Sequence, residues 1–154
     1  MSIELSELLS PECVELNLSG KKKKTILREL VQVISRCKGI ADTETLYEAL
    51  LERERISSTG IGNGIAIPHC MTPMADSTHI AFGRKSDGVK FDSVDNQPVM
   101  MFFLLVGPDN DPNLHLQVLS KLARYLHDPS FCETLLGADS PEEVIEAVKS
   151  RENR

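Results

Sequence analysis

Apolar residues recur along this chain with two different periods, and the change of period separates helices at the two ends from strands in the middle. Residues 21–37, KKKKTILRELVQVISRC, place Ile26, Leu27, Leu30, Val31 and Ile34 on one stripe at helical spacing, and Gly39 lies just past its end. Asp42 stands where a second helix would be capped. In TETLYEALLERERI the inward positions are Leu46, Ala49 and Leu50. Three residues further the same stripe reaches Arg53, a guanidinium on the inward face of a last helical turn.

Beyond residue 64 the pattern shortens. GIAIPH and STHIAFGRK read as strands and VKF as a short third, while PVMMFFLLV is apolar on both faces and predicts a central strand covered on both sides. Three helices follow, each with its own start signal. Asp111 and Pro112 open DPNLHLQVLSKLARYL, Asp128 and Pro129 open DPSFCETLLG with Gly137 at its end, and Ser140 with Glu143 forms a capping box in SPEEVIEAVKS. Two helices, a block of strands and three more helices predict an α/β fold, a mixed β-sheet with helices on both faces. No repeat or low-complexity linker interrupts residues 1–154, so one domain is expected over that span.

Composition narrows the function classes. With 41% hydrophobic and 26% charged residues the chain is globular. Its net charge of −6 argues against nucleic-acid binding, which needs a basic face to displace counterions. The one basic cluster, Lys21 to Lys24, reads as a solvated helix start, although cations at the positive end of a helix dipole are mildly unfavourable. Cys13, Cys37, Cys70 and Cys132 are scattered without a C-x-x-C pair, so neither a disulfide framework nor a structural zinc site is expected, which suits a reducing cytoplasm. The opening MSIELSELLS lacks the basic-then-apolar order of a signal peptide. The apolar run VMMFFLLV is far short of the ~20 residues of a membrane helix, so no membrane insertion is expected.

The stretch STGIGNGIAIPHC, residues 58–70, carries the candidate chemistry. Its glycines are spaced G-x-G-x-G between a helix and a strand, so it meets neither the dinucleotide fingerprint nor the P-loop pattern. Two readings stay open: a tight hairpin whose glycines satisfy geometry, or a bed of backbone N–H groups for an anion near His69. Thr59, Gly60, Gly62, Asn63 and Gly64 are the candidate phosphate-binding residues of the second reading. Arg53 just upstream supplies a planar fork suited to phosphate, and His115 lies in the first turns of the helix opened by Asp111. His79, in an alternating strand, and His127, at a helix end, read as structural histidines.

The segment RERISSTGIGNGIAIPH, 53–69, resembles the active-site segment of the enzyme IIA proteins of the fructose/mannitol type in the bacterial phosphoenolpyruvate phosphotransferase system, most closely their nitrogen-related branch. FDSVDNQPVMMFFLLVGP and HLQVLSKLARYL match the same family in the same order. The resemblance implies that His69 is the phosphorylated nucleophile and that Arg53 and His115 support the phosphoryl group. It implies an HPr-like phosphocarrier protein as donor. As output it implies regulated target proteins or, for a sugar-specific member, an enzyme IIB acceptor. No cofactor or metal is required for exchange between two histidines. A module that keeps the fold and binds targets without phosphorylation is the remaining alternative. Cys70 departs from the glycine common after the active histidine; on a strand it should point away from His69.

Overall fold

The computed structural model describes residues 3–37 and 39–153; Met1, Ser2, Lys38 and Arg154, which fall within the expected domain span, lie outside them. Among the described residues six strands form one mixed sheet: β1 (Val14–Glu15), β2 (Gly60–Gly62), β3 (Ile65–Ala66), β4 (His69–Met71), β5 (His79–Val89) and β6 (Val99–Gly107). The order is β1-β5-β6-β3-β2, with β4 also paired to β6. β5 and β6 run antiparallel, while β3 and β4 lie parallel to β6 one after the other.

β6 is the predicted central strand, and its alternation builds both cores. Phe102, Leu104 and Val106 face one cluster with Ile26, Leu30, Ile34, Leu46 and Leu50, the buried stripes of α1 (Lys23–Ile34) and α2 (Thr43–Ile56). Met101, Phe103 and Leu105 face the other, with Val118, Leu122, Phe131, Leu135, Val144 and Val148 from α3 (Pro112–Leu126), α4 (Pro129–Leu136) and α5 (Pro141–Glu152). Helices thus cover both faces, as the pattern predicted. The expected caps form: Asp42 accepts from the N–H groups of Glu44 and Thr45, Asp111 from Leu114, Asp128 from Ser130 and Ser140 from Glu143.

Several details differ from the sequence expectation. VKF is no separate strand, because β5 continues to Val89 and only Lys90 and Phe91 lie beyond it. GIAIPH breaks at Ile67 and Pro68 into β3 and β4, since proline has no N–H for a ladder. An unforeseen β1 follows two 3-10 turns, Leu5–Glu7 and Pro11–Cys13, and the second brings Cys13 beside the end of α1. There Cys13 and Cys37 form a disulfide with Cα atoms 6.6 Å apart, contrary to the expectation of unpaired cysteines. A separation of 24 residues carries no local signature of that pairing, and cysteine usage no longer supports a reducing compartment. Among the described residues no helix is long and apolar enough to cross a membrane.

Candidate functional site

His69 opens β4, where it pairs with Leu105 of β6, close to the end of the central strand. Pro68 denies the preceding position a ladder bond, and the chain turns so that the His69 ring folds back on its own backbone. Nδ1 lies 2.7 Å from the Ile67 carbonyl oxygen. A carbonyl only accepts, so Nδ1 carries the proton and Nε2 is left with the basic lone pair. Burial lowers the proton affinity of His69 below that of an ordinary histidine; the Ile67 carbonyl opposes this, the Arg53 charge adds to it, and Glu54 opposes it in turn. The imidazole is therefore neutral at neutral pH.

α3 presents the second histidine. Its N-terminus is fixed by Asp111 and Pro112, which places His115 one turn in, buried, with its ring centroid 5.7 Å from that of His69 and the planes tilted by 50°. Burial, and then the neighbouring His69, lower its proton affinity too. Its Nδ1 is buried without a hydrogen-bond partner. A buried N–H left unpaired costs more than an unpaired acceptor, so the ring proton belongs on Nε2.

Arg53 reaches the same place from the last turn of α2. One guanidinium nitrogen donates to the Ser57 carbonyl oxygen at 2.9 Å, leaving the rest of the five-donor fork unspent. Arg53, His69 and His115 line one cavity of about 510 Å³ together with Ile56, Met71 and Leu119. Ile56 is 77% exposed, Met71 43%, and Leu116 beside His115 62%, so large apolar side chains stand in water around the histidine pair.

The glycine loop is elsewhere. β2 and β3 form an antiparallel hairpin whose turn residues Asn63 and Gly64 have φ of 58° and 79°, the left-handed pair that a two-residue hairpin turn demands. Ile65 pairs with Met101, four residues along β6 from the partner of His69, which is about 13 Å at ~3.3 Å per residue. Three of the loop amides are already engaged: Thr59 N–H donates to Glu54, Gly60 N–H to Ser58 Oγ and Asn63 N–H to an Asp95 carboxylate oxygen. Of the residues singled out from the sequence, the structure brings together Arg53, His69 and His115. Thr59, Gly60, Gly62, Asn63 and Gly64 do not reach their cavity.

Cys70 packs against the α1/α2 core and also lines the cavity that holds Arg53, His69 and His115, and burial pushes its thiol up to about 12. His79 lies 3.0 Å through Nε2 from Ser77 Oγ, and His127 is the residue that ends α3. Among the described residues no three His, Cys, Asp or Glu side chains gather as a metal site.

The sequence pattern gave no role to Glu54 and placed Lys23 in a solvated helix start. Glu54 is buried at the end of α2, accepts from Thr59 N–H at 3.2 Å and from the Thr59 hydroxyl, and pairs with Lys23 Nζ at 2.9 Å. Its position four residues after Leu50 was the available signal, because i and i+4 share a helix face.

Known proteins agree with this architecture. The model of the family "Phosphoenolpyruvate-dependent sugar phosphotransferase system, EIIA 2" matches residues 7–151. The chain is 36% identical over 150 residues to the "PTS system fructose-specific EIIABC component" of Bacillus subtilis (strain 168), covering 97% of this chain but only 24% of that much longer protein. It is 35% identical over 150 residues to the "Nitrogen regulatory protein" of Klebsiella oxytoca, covering 96% of this chain and 91% of the relative. The crystal structure of the nitrogen regulatory protein IIA-Ntr from Neisseria meningitidis superposes with a TM-score of 0.87 at 34% identity, over 93% of this chain and 97% of that one. With the fold and nearly the whole length in agreement, the chain belongs to the EIIA 2 family of the phosphoenolpyruvate-dependent phosphotransferase system.

Proposed function

We propose that the protein is a cytoplasmic phosphohistidine carrier of the nitrogen-related branch, taking its phosphoryl group on His69 from an HPr-like phosphocarrier and regulating target proteins through its phosphorylation state. One observation carries the reading. His69 is neutral, its Nδ1–H is committed to the Ile67 carbonyl, and its remaining lone pair on Nε2 shares a cavity with a second histidine and an arginine.

The step follows from those groups. The Nε2 lone pair of His69 attacks the donor's phosphorus, a new N–P bond forms, and the donor's N–P bond breaks with its electrons returning to the donor imidazole. Proton transfer is unnecessary, because Nδ1–H keeps its acceptor throughout. The transition state spreads negative charge over the equatorial oxygens, and catalysis is chiefly positioning and electrostatics. The free N–H groups of Arg53 and the Nε2–H of His115 meet that charge. The exposed Ile56, Met71 and Leu116 suit a protein donor, since apolar side chains around a reactive group mark a docking rim.

The similarity to the fructose-specific Bacillus relative supports a second reading, in which the phosphoryl group passes on to an enzyme IIB during sugar uptake. Incubation with phosphoenolpyruvate, enzyme I and an HPr-like carrier tests the proposal. Acid-labile, alkali-stable phosphate is expected on the parent and not on His69→Ala. Onward transfer to an enzyme IIB of the fructose type favours the second reading; absence of label with several donors overturns both and leaves an unphosphorylated binding module.

A further inference from the structure

The carboxylate of Glu54 is placed where a carboxylate is costly. It lies in the last turn of α2, at the negative end of the helix dipole, with its side chain only 4% exposed. Its oxygens are nonetheless fully used. Lys23 Nζ stands 2.9 Å from Oε2, the Thr59 N–H lies 3.2 Å from both oxygens, and the Thr59 hydroxyl donates to Oε1. Lys23 is itself steered into place, 4.5 Å above the Phe91 ring and 3.4 Å from the Phe91 carbonyl oxygen.

From Thr59 the connection continues to the reactive ring. The Thr59 carbonyl accepts from Ile67 N–H at 3.0 Å, and the Ile67 carbonyl accepts from His69 Nδ1 at 2.7 Å. Four links therefore join the lysine run at the start of α1 to the imidazole: Lys23, Glu54, Thr59, Ile67, His69. Thr59 is clamped on its N–H side by Glu54 and on its carbonyl side by Ile67, so the carboxylate sets the height of the link between β3 and β4 that carries the Ile67 carbonyl. That carbonyl fixes both the tautomer and the orientation of His69.

Resting on the phosphocarrier reading, we propose that Glu54, held by Lys23, is a positioning residue for His69, acting through Thr59 and Ile67 to keep the ring proton on Nδ1 and Nε2 free for phosphorus. The lysine run then has a use that a solvated helix start does not give it. Removing Lys23 leaves the buried Glu54 carboxylate without its cation, and removing Glu54 slackens the chain at its anchored end.

The test uses the full chain with ¹⁵N-labelled histidine, unphosphorylated, in the parent and in Glu54→Ala, Lys23→Met, Thr59→Val and Thr59→Ser. The His69 signals of the parent should show Nδ1 protonated and Nε2 bare. Glu54→Ala and Thr59→Val should move them toward a mixture of tautomers, and Thr59→Ser should restore the parental pattern. The maximal rate of phosphoryl acceptance from the HPr-like donor should fall about 10- to 100-fold in Glu54→Ala with the KM for the donor unchanged, the size expected for a slightly misplaced nucleophile. Should Glu54→Ala fail to fold, the Thr59 pair carries the test. Parental tautomer and rate in folded Glu54→Ala and Thr59→Val overturn the proposal. A parent that takes no label, with tautomers that still shift, removes the carrier reading and leaves the positioning chain standing.

Discussion

Burial and the Arg53 charge keep His69 unprotonated, and the Ile67 carbonyl decides which nitrogen is bare. Because the folded-state proton affinity lies below that of a free histidine, the fall in the rate of phosphoryl acceptance with acid should be centred below the usual value of ~6.5. A rate profile that breaks at or above the usual histidine value contradicts this electrostatic account. Cys70 gives a second expectation at the same scale. Buried, with its thiol pushed up to about 12, it should resist iodoacetamide in the native protein and react only on unfolding, as mass spectrometry of labelled peptides can show. His69, His115 and Arg53 were legible because each departs from its local pattern: a histidine after the glycines, a histidine at a helix start, an arginine on an apolar stripe. Strand alternation set Cys70 apart from His69, yet both side chains line the same cavity. Glu54 was passed over because a charged residue is read as outward by default, and only tertiary pairing with Lys23 and Thr59 makes burial tolerable.

At the scale of elements, the glycine segment shows how one composition serves two readings. Three alternating glycines are consistent with an anion bed, yet Asn63 followed by Gly64 is also the strongest short hairpin signal, and the strands on either side decide for the hairpin. Gly64→Ala should make the distinction. Its φ of 79° disfavours a side chain, and the added Cβ would stand 2.7 Å from Met100 Cε. Urea denaturation should show a loss of about 1–2 kcal/mol, while label still reaches His69. Loss of labelling without loss of stability would return the loop to the phosphoryl site. Arg84 of β5 is a second case. Its Nη1 serves the carbonyls of Leu135, Leu136 and Ala138 at the end of α4, and its Nε serves Leu16. Arg84→Met should cost about 2 kcal/mol by the same measurement, since several part-buried acceptors lose a charged donor together.

Across the whole molecule, the order of periodicities was enough to place helices on both faces of one sheet. Capping residues located four of the five helix starts. What escaped was long-range or very short: β1 has two residues, and the Cys13–Cys37 bond joins positions 24 apart that only the packed N-terminal turn brings together. The two site histidines also leave a mark on global stability. Both bind protons less readily folded than free, so below ~6.5 the unfolded chain takes up more protons and stability declines as pH falls. Asp42, Asp87 and Asp95, whose carboxyls are held below the usual range by hydrogen bonds, act lower: their contribution is present above ~4 and is lost as pH falls through their folded values. Urea unfolding between pH 7 and 5 should therefore show a decline that His115→Gln reduces.

The proposed carrier function requires that Nε2 of His69 receive the phosphoryl group while Nδ1–H remains on the Ile67 carbonyl. NMR of the phosphorylated, ¹⁵N-histidine-labelled protein tests it most directly. Phosphorus coupled to Nε2 of His69, a protonated Nδ1 on the same ring and an unmodified His115 are expected. Phosphorus on His69 Nδ1 or on His115 would contradict it.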